Sequence, residues 1–280
     1  MRAERIWEQA RSVARAAEAC GALVPLQTRR LTLTDAGPFV VRELLSATPR
    51  HLRPDGPRPN PFLPWEAALE VGRPGEGHAL ILNKYPVQPE HLLLITSRWQ
   101  PQSGWISWDD WRTVAGVAAD TGGLWFFNSH ATAGASQPHR HLQLLPRHGG
   151  ETSCPLAVEL ERQLAGLADP WPWRYCLSRR RRGLEAVDGG VELEALYLDH
   201  ASRLGLGRPA DDPQPRHAYN LLFDDNWMLT VRRERETCAG FSVNALGFAG
   251  YLLRTRDSDL DWLVGHGPWA LLREVATAPG

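Results

Sequence analysis

The chain has 280 residues, 43% of them hydrophobic, which is enough for a sizeable core arranged as one or two domains. Its formal net charge of −1 gives no charge-based reason to expect a nucleic-acid or acidic-membrane partner. Of its 31 basic residues only Lys84 is a lysine, a composition bias that weakens any single arginine as a clue to phosphate binding.

Ile6, Ala10, Val13 and Ala17 recur at helical spacing and predict an amphipathic helix over 3–19, ended by Cys20-Gly21. This N-terminus lacks the continuous apolar segment of a signal peptide. No run in the chain approaches the ~20 apolar residues of a membrane span. Residues 46–64 hold six prolines and predict an irregular segment. The apolar runs 78–83 and 91–97 predict two strands, separated by a loop because Pro86 and Pro89 cannot donate to a ladder. Ser107 caps a helix over 108–121, with Asp109 and Asp110 in the first turn where the helix dipole favours them. A strand over 124–129, a loop of small residues and a strand over 139–146 come next. Beyond these, helices are expected over 155–167 and 190–204, a strand over 173–178, and a hairpin of 217–223 with 227–233. "VNALGFAGYLL" and the residues after it read as helical. Cys20, Cys154, Cys176 and Cys238 form no C-x-x-C pair, so free buried thiols in a reducing, cytoplasmic setting are expected.

The stretch "GASQPHRHLQLLP" (134–146) carries the chemistry. Side chains alternate along a strand, so His139, His141 and Gln143 face one side and Arg140, Leu142 and Leu144 the other. The leucines anchor the strand while the polar row faces a cleft. Gly134, Ala135 and Ser136 allow close backbone approach and present N–H groups suited to phosphate oxygens. Three uses compete: a solvated strand face, a metal site with His148 or His91 as third ligand, and nucleophilic catalysis at phosphorus. A neutral imidazole is a good nucleophile near pH 7, and the phosphoramidate it forms is reactive enough to pass the group on.

"PHRHLQ" resembles the active-site motif of the histidine-triad superfamily in its transferase form, where glutamine replaces the third histidine. "NPFLP", "ILNKYP", "GASQPHRHLQ", "YNLL" and "VNALGFAG" occur in the order found in ATP adenylyltransferases, the diadenosine tetraphosphate phosphorylases. The resemblance covers roughly residues 20–255. It implies an α+β fold, a histidine-triad-like antiparallel sheet with flanking helices. It also implies an N-terminal catalytic part (1–150) and a C-terminal part (151–280) packed on the same site, as two domains or one integrated one. The implied function is nucleotidyl transfer: phosphorolysis of diadenosine tetraphosphate to ATP and ADP, with ADP-sulfurylase activity on adenylyl sulfate as a further use of the same chemistry. A dinucleoside polyphosphate hydrolase and a nucleotide-binding sensor without turnover are the alternatives.

Carried over by resemblance, His141 is the nucleophile that takes AMP, His139 orients its ring, and Gln143 hydrogen-bonds the α-phosphate or the bridging oxygen. Asn83, with Lys84 beside it, matches the ribose-binding position, and His91 matches a supporting histidine. Asn128 and the loop Gly134, Ala135, Ser136 and Gln137 match phosphate-contacting positions. A divalent cation such as Mg2+ is expected to arrive bound to the polyphosphate, with no protein metal site and no organic cofactor. Small nucleotides are the expected partners, nucleic acid and membrane are not, and the chain is expected as a monomer or homodimer. An amide cannot serve as a general base at neutral pH, so Gln143 argues for an anionic acceptor over water. Two features depart from the family: His130 stands where the family carries glycine, and the basic residue before "NPF" must be one of Arg42, Arg50, Arg53 and Arg58.

Overall fold

The computed structural model describes residues 2–33, 36–46, 60–147, 153–181, 183 and 186–279. Most of the segment 46–64, with Arg50, Arg53 and Arg58, lies outside the described residues, as does His148. Helix α1 (Arg5–Ala19) leads to strands β1 (Thr28–Leu31) and β2 (Val40–Leu44), then β3 (Glu70–Gly72), β4 (His78–Leu82) and β5 (Leu92–Thr96). Helix α2 (Trp108–Thr121) starts on a complete capping box. Ser107 accepts from the Asp110 N–H and the Asp110 carboxylate accepts from the Ser107 N–H, an arrangement in which the cap residue alone is worth about 1 kcal/mol. Strands β6 (Leu124–Asn128) and β7 (His141–Leu145), helix α3 (Ala157–Leu164), β8 (Tyr175–Arg179) and α4 (Ala186–Arg203) come next. The chain closes with β9 (Tyr219–Phe223), β10 (Trp227–Arg232), the short β11 (Thr237–Cys238) and β12 (Phe241–Ser242), α5 (Ala245–Ala249), β13 (Tyr251–Arg254) and α6 (Leu260–Val275).

One eight-stranded sheet organises the molecule, in the order β3-β4-β5-β7-β6-β9-β10-β8, every neighbouring pair antiparallel. The β6–β9 pairing runs the sheet unbroken from the N-terminal to the C-terminal half. The period of two decides which face each residue joins. Trp125 and Phe127 of β6 and Leu142 and Leu144 of β7 pack with Trp7 of α1, Trp111 of α2 and Tyr197 of α4. On the other face, Phe126, Leu222 and Leu229 pack with Leu160 of α3, Phe248 of α5 and Leu271 of α6. Leu142 and Leu144 are fully buried, each worth roughly 1.5–3 kcal/mol. A one-residue slip of β7 would exchange them for the polar row, so the register that fixes the core also fixes the site.

The helical reading from "VNALGFAGYLL" onward needs correction. Gly250 adopts φ 101 at the end of α5, stopping the helix, and Tyr251–Arg254 pair parallel with β2. Strands β1, β2 and β3 leave no clear mark in the sequence, being short and only partly buried. Helix α4 is described from Ala186, four residues before the expected start. The cysteines are free, but only Cys154 and Cys176 are buried; Cys20 is exposed and Cys238 half-buried. Half of the twelve tryptophans are core residues. Among the described residues no helix is long and apolar enough to cross a membrane.

Candidate active site

Strand β7 lies between β5 and β6, with Ile95 opposite His141 and both Leu93 and Phe126 opposite Gln143. The regular strand begins at His141 rather than at residue 139, because His139 makes only an isolated bridge to Pro101. The alternation still holds. The Phe62 ring lies 5.6 Å from His139 and 5.3 Å from His141, so both imidazoles share one face. On the opposite face Arg140 pairs with the buried Asp110 carboxylate at 2.9 Å, and His78 reaches its other oxygen at 2.8 Å. Burial raises the Asp110 pKa, but the His78 hydrogen bond and the Arg140 charge outweigh it and bring the group down to about 2.

The partners of each imidazole fix its tautomer. Phe62 donates its backbone N–H to Asn60 Oδ1 at 3.0 Å, which turns Asn60 Nδ2 toward His139 Nδ1, also at 3.0 Å. His139 Nδ1 must therefore accept, and its Nε2–H donates to the Thr96 carbonyl at 2.8 Å. Tyr85 and Asn83 repeat the device. Tyr85 N–H donates to Asn83 Oδ1 at 3.1 Å, and Asn83 Nδ2 donates to His91 Nδ1 at 3.0 Å. His91 Nε2–H then donates to Gln143 Oε1 at 3.0 Å, and this points the Gln143 amino group away from His91. Both relays start from a backbone N–H, which can only donate, so no amide orientation is left free.

His141 is 3% exposed, and its Nδ1–H donates to the His139 carbonyl at 2.8 Å. That bond leaves Nε2 with the lone pair. Burial pushes His141 down to about 4 and, outweighing the hydrogen bond with Gln143, does the same to His91. Burial also lowers His139. All three rings are therefore neutral at pH 7. The contact that orients His141 comes from the His139 backbone, while the His139 ring is held by Asn60 and Thr96. Gln102, 3% exposed, clamps the start of β7: its Oε1 accepts from His141 N–H at 2.8 Å, and its Nε2 donates to the Asn128 and His141 carbonyls.

The loop between β6 and β7 supplies the second wall. Gly134 adopts φ 82, and a Cβ there would stand 2.7 Å from Asn244 Cβ and 3.0 Å from the Val243 carbonyl. Both the backbone conformation and the close approach demand glycine. Ala135 N–H is taken by His130 O, but among the described residues nothing accepts from the N–H of Ser136 or Gln137. Asn128 is buried, and its Oδ1 accepts from Asn220 Nδ2 and the Ala245 N–H, both at 2.8 Å. Lys84 sits at the surface in an ion pair with Glu66. Both ends of the Asn83 amide are engaged by protein, so its first task is to hold His91. Asn244 caps α5, and Cβ atoms at Gly247 and Gly250 would meet Val243 and Pro155, which makes "VNALGFAG" a packing element. Asn60, Gln102, Asn220 and Arg233 are not singled out by the sequence. Asn60 does carry a signal, since an asparagine two residues before a backbone N–H in "NPF" is an Asx-turn former.

Two imidazoles and an oriented amide on one face of β7 and its approach, beside a loop whose Ser136 and Gln137 N–H groups have no acceptor among the described residues, make the arrangement that the histidine-triad-like resemblance implies. Residues 1–162 match the Ap4A phosphorylase N-terminal domain and residues 170–278 the ATP adenylyltransferase C-terminal domain, so the chain belongs to the Ap4A phosphorylase/ATP adenylyltransferase family. Protein APA1 of Saccharomyces cerevisiae is 26% identical over 212 residues, 66% of this chain and 64% of that protein. The diadenosine 5',5'''-P1,P4-tetraphosphate phosphorylase 2 of the same yeast is 36% identical over 83 residues, 25% of this chain and 26% of that protein. The aligned stretches thus span less than two thirds of either relative. Crystal structures of the yeast Ap4A phosphorylase Apa2 share the fold. Its complex with Ap4A aligns at TM-score 0.74 and 19% identity, and its complex with AMP at 0.76 and 21%, each covering 99% of both chains.

Proposed function

We propose that the chain catalyses phosphorolysis of diadenosine tetraphosphate to ATP and ADP through a covalent AMP–His141 intermediate. In the first half-reaction His141 Nε2 attacks the α-phosphorus, the P–N bond forms, and the P–O bond to departing ATP breaks. In the second, an oxygen of inorganic phosphate attacks the same phosphorus, the P–N bond breaks, and ADP leaves. The observation that carries this reading is the state of His141: buried, neutral and with Nδ1–H committed to the His139 carbonyl, so that Nε2 is the nucleophilic atom. The Gln143 amino group would donate to the α-phosphate, and the Ser136 and Gln137 N–H groups to neighbouring phosphate oxygens. Asn83 and Asn60 are assigned as positioning residues for His91 and His139. The same intermediate would form from adenylyl sulfate, with sulfate departing in place of ATP.

Among the described residues no cluster of three or more His, Cys, Asp or Glu is arranged to hold a metal ion. A divalent cation is proposed to enter on the polyphosphate and screen its charge, and no step above is routed through it. The test is to incubate the protein with diadenosine tetraphosphate, with and without inorganic phosphate, and separate the products. ATP plus ADP only when phosphate is present is the expected result. AMP plus ATP without phosphate would make the chain a hydrolase, and tight binding without turnover a sensor.

A further inference from the structure

Arg233 lies just after β10 and is 3% exposed, yet among the described residues no carboxylate forms an ion pair with it, and Glu236 acts on its charge only from longer range. Its guanidinium is held by neutral acceptors instead. Nε donates to the Val275 carbonyl at 3.0 Å and Nη2 to the Arg235 carbonyl at 2.7 Å. Nη1 donates to Asn220 Oδ1, with the Ala133 carbonyl further off at 3.5 Å. Asn220 Nδ2 in turn donates to Asn128 Oδ1 and to the Ala133 carbonyl, both at 2.8 Å. A positive charge is therefore buried directly behind Ala133, the residue that precedes Gly134 in the loop that carries the Ser136 and Gln137 N–H groups. Burying an unpaired cation is costly, and clamping the C-terminal end of α6 would need only a neutral donor.

We infer that Arg233 is a positioning residue for the polyphosphate: through Asn220 it holds the Ala133–Gln137 loop and Asn128 in place, and its charge, which no ion pair neutralises, favours ligands in proportion to the negative charge they bring to that loop. The inference rests on the proposed nucleotidyl-transfer reading, but its test is a binding measurement that does not require turnover. Adenosine, AMP, ADP, ATP and inorganic tripolyphosphate are titrated calorimetrically into the wild type, Arg233→Met and Asn220→Asp. The second variant puts a carboxylate on the same guanidinium with the arginine still present; because it also turns an acceptor toward Asn128 Oδ1 and the Ala133 carbonyl, its adenosine affinity is read beside its ATP preference to separate a cancelled charge from a displaced loop, and it decides the matter on that basis should Arg233→Met fail to fold.

The expected result is a wild-type affinity that rises from AMP to ATP, and a preference for ATP over AMP that falls at least tenfold in either variant while adenosine affinity changes less than threefold. Equal weakening of every ligand would reduce Arg233 to a structural clamp and overturn the inference, even if the wild type phosphorolyses diadenosine tetraphosphate. Loss of the ATP preference in the variants would uphold it, even if the wild type shows no turnover. A wild type that binds none of the phosphorylated probes would overturn both readings.

Discussion

Lowering the pH from 8 to 5 should destabilise this protein sharply, through its buried histidines. His91, His141 and His200 are each brought by burial from the ordinary histidine value near 6.5 to about 4. His200 lies away from the site, between the hydroxyls of Ser178 and Thr230, both at 2.9 Å. Because the folded values are depressed, the unfolded chain binds more protons between pH 6.5 and 4, and stability rises with pH through that window. The stabilisation is complete above the unfolded value and is lost as the pH falls. At pH 5 an unfolded histidine is protonated and the folded one is not, a difference of about 1.5 units or roughly 2 kcal/mol each. Three such groups amount to roughly 6 kcal/mol, comparable to the ~5–15 kcal/mol of net stability of a typical domain. Asp110 adds nothing in this window, since its stabilisation is lost only as the pH falls below its unfolded value toward about 2. The assay is a series of urea denaturation curves at pH 8, 6.5 and 5. His200→Gln should remove part of the pH dependence, at most about a third, because burial also lowers His139 and His217. A urea midpoint that does not move between pH 8 and 5, or a His200→Gln curve with the full dependence, would refute the reasoning.

Gln143→His should raise hydrolysis relative to phosphorolysis, because an imidazole at that position can assist proton transfer from water where an amide cannot. The ratio of AMP to ADP formed at fixed phosphate is the quantity to measure. Asn83→Ala should lower kcat about tenfold, a cost of ~1.4 kcal/mol in the barrier, by releasing the His91 tautomer that orients Gln143. The preference for ribonucleotides over 2',3'-dideoxy analogues should persist; its disappearance would return Asn83 to the ribose. Gly134→Ala should cost more than ~1 kcal/mol in stability, read from the urea midpoint, because it combines a left-handed backbone with a Cβ thrust against Asn244.

The polar row of β7 is legible because period-two alternation is local: Leu142 and Leu144 announce a buried face, and His139, His141 and Gln143 must then share the other. The strands β4, β5, β6, β9 and β10 are legible for a similar reason, being apolar runs bounded by turn residues. The features that escape a sequence reading depend on distant pairing. Tyr251–Arg254 look helical in isolation and become a strand only because Gly250 turns the chain onto β2. Asn60 reaches His139 across 79 residues, and Gln102 reaches His141 across 39. Nothing in the local sequence of either residue specifies that partner. Arg233 is masked further by composition, as one arginine among thirty with no ion-paired carboxylate among the described residues to mark it. The two asparagines with their N–H at i+2 are the exception, a local signal that predicts an oriented amide even where its target is unknown.

The covalent intermediate is tested most directly by trapping it. The protein is incubated with diadenosine tetraphosphate in the absence of phosphate, digested with trypsin at neutral pH, and mapped by mass spectrometry. Cleavage after Arg140 and Arg147 isolates residues 141–147, in which His141 is the only histidine, and leaves His139 in the preceding peptide. An AMP adduct on the 141–147 peptide, discharged as ADP when phosphate is added and missing from His141→Asn, is the expected result. An adduct on the His139 peptide, or His141→Asn turning over at the wild-type rate, would contradict it.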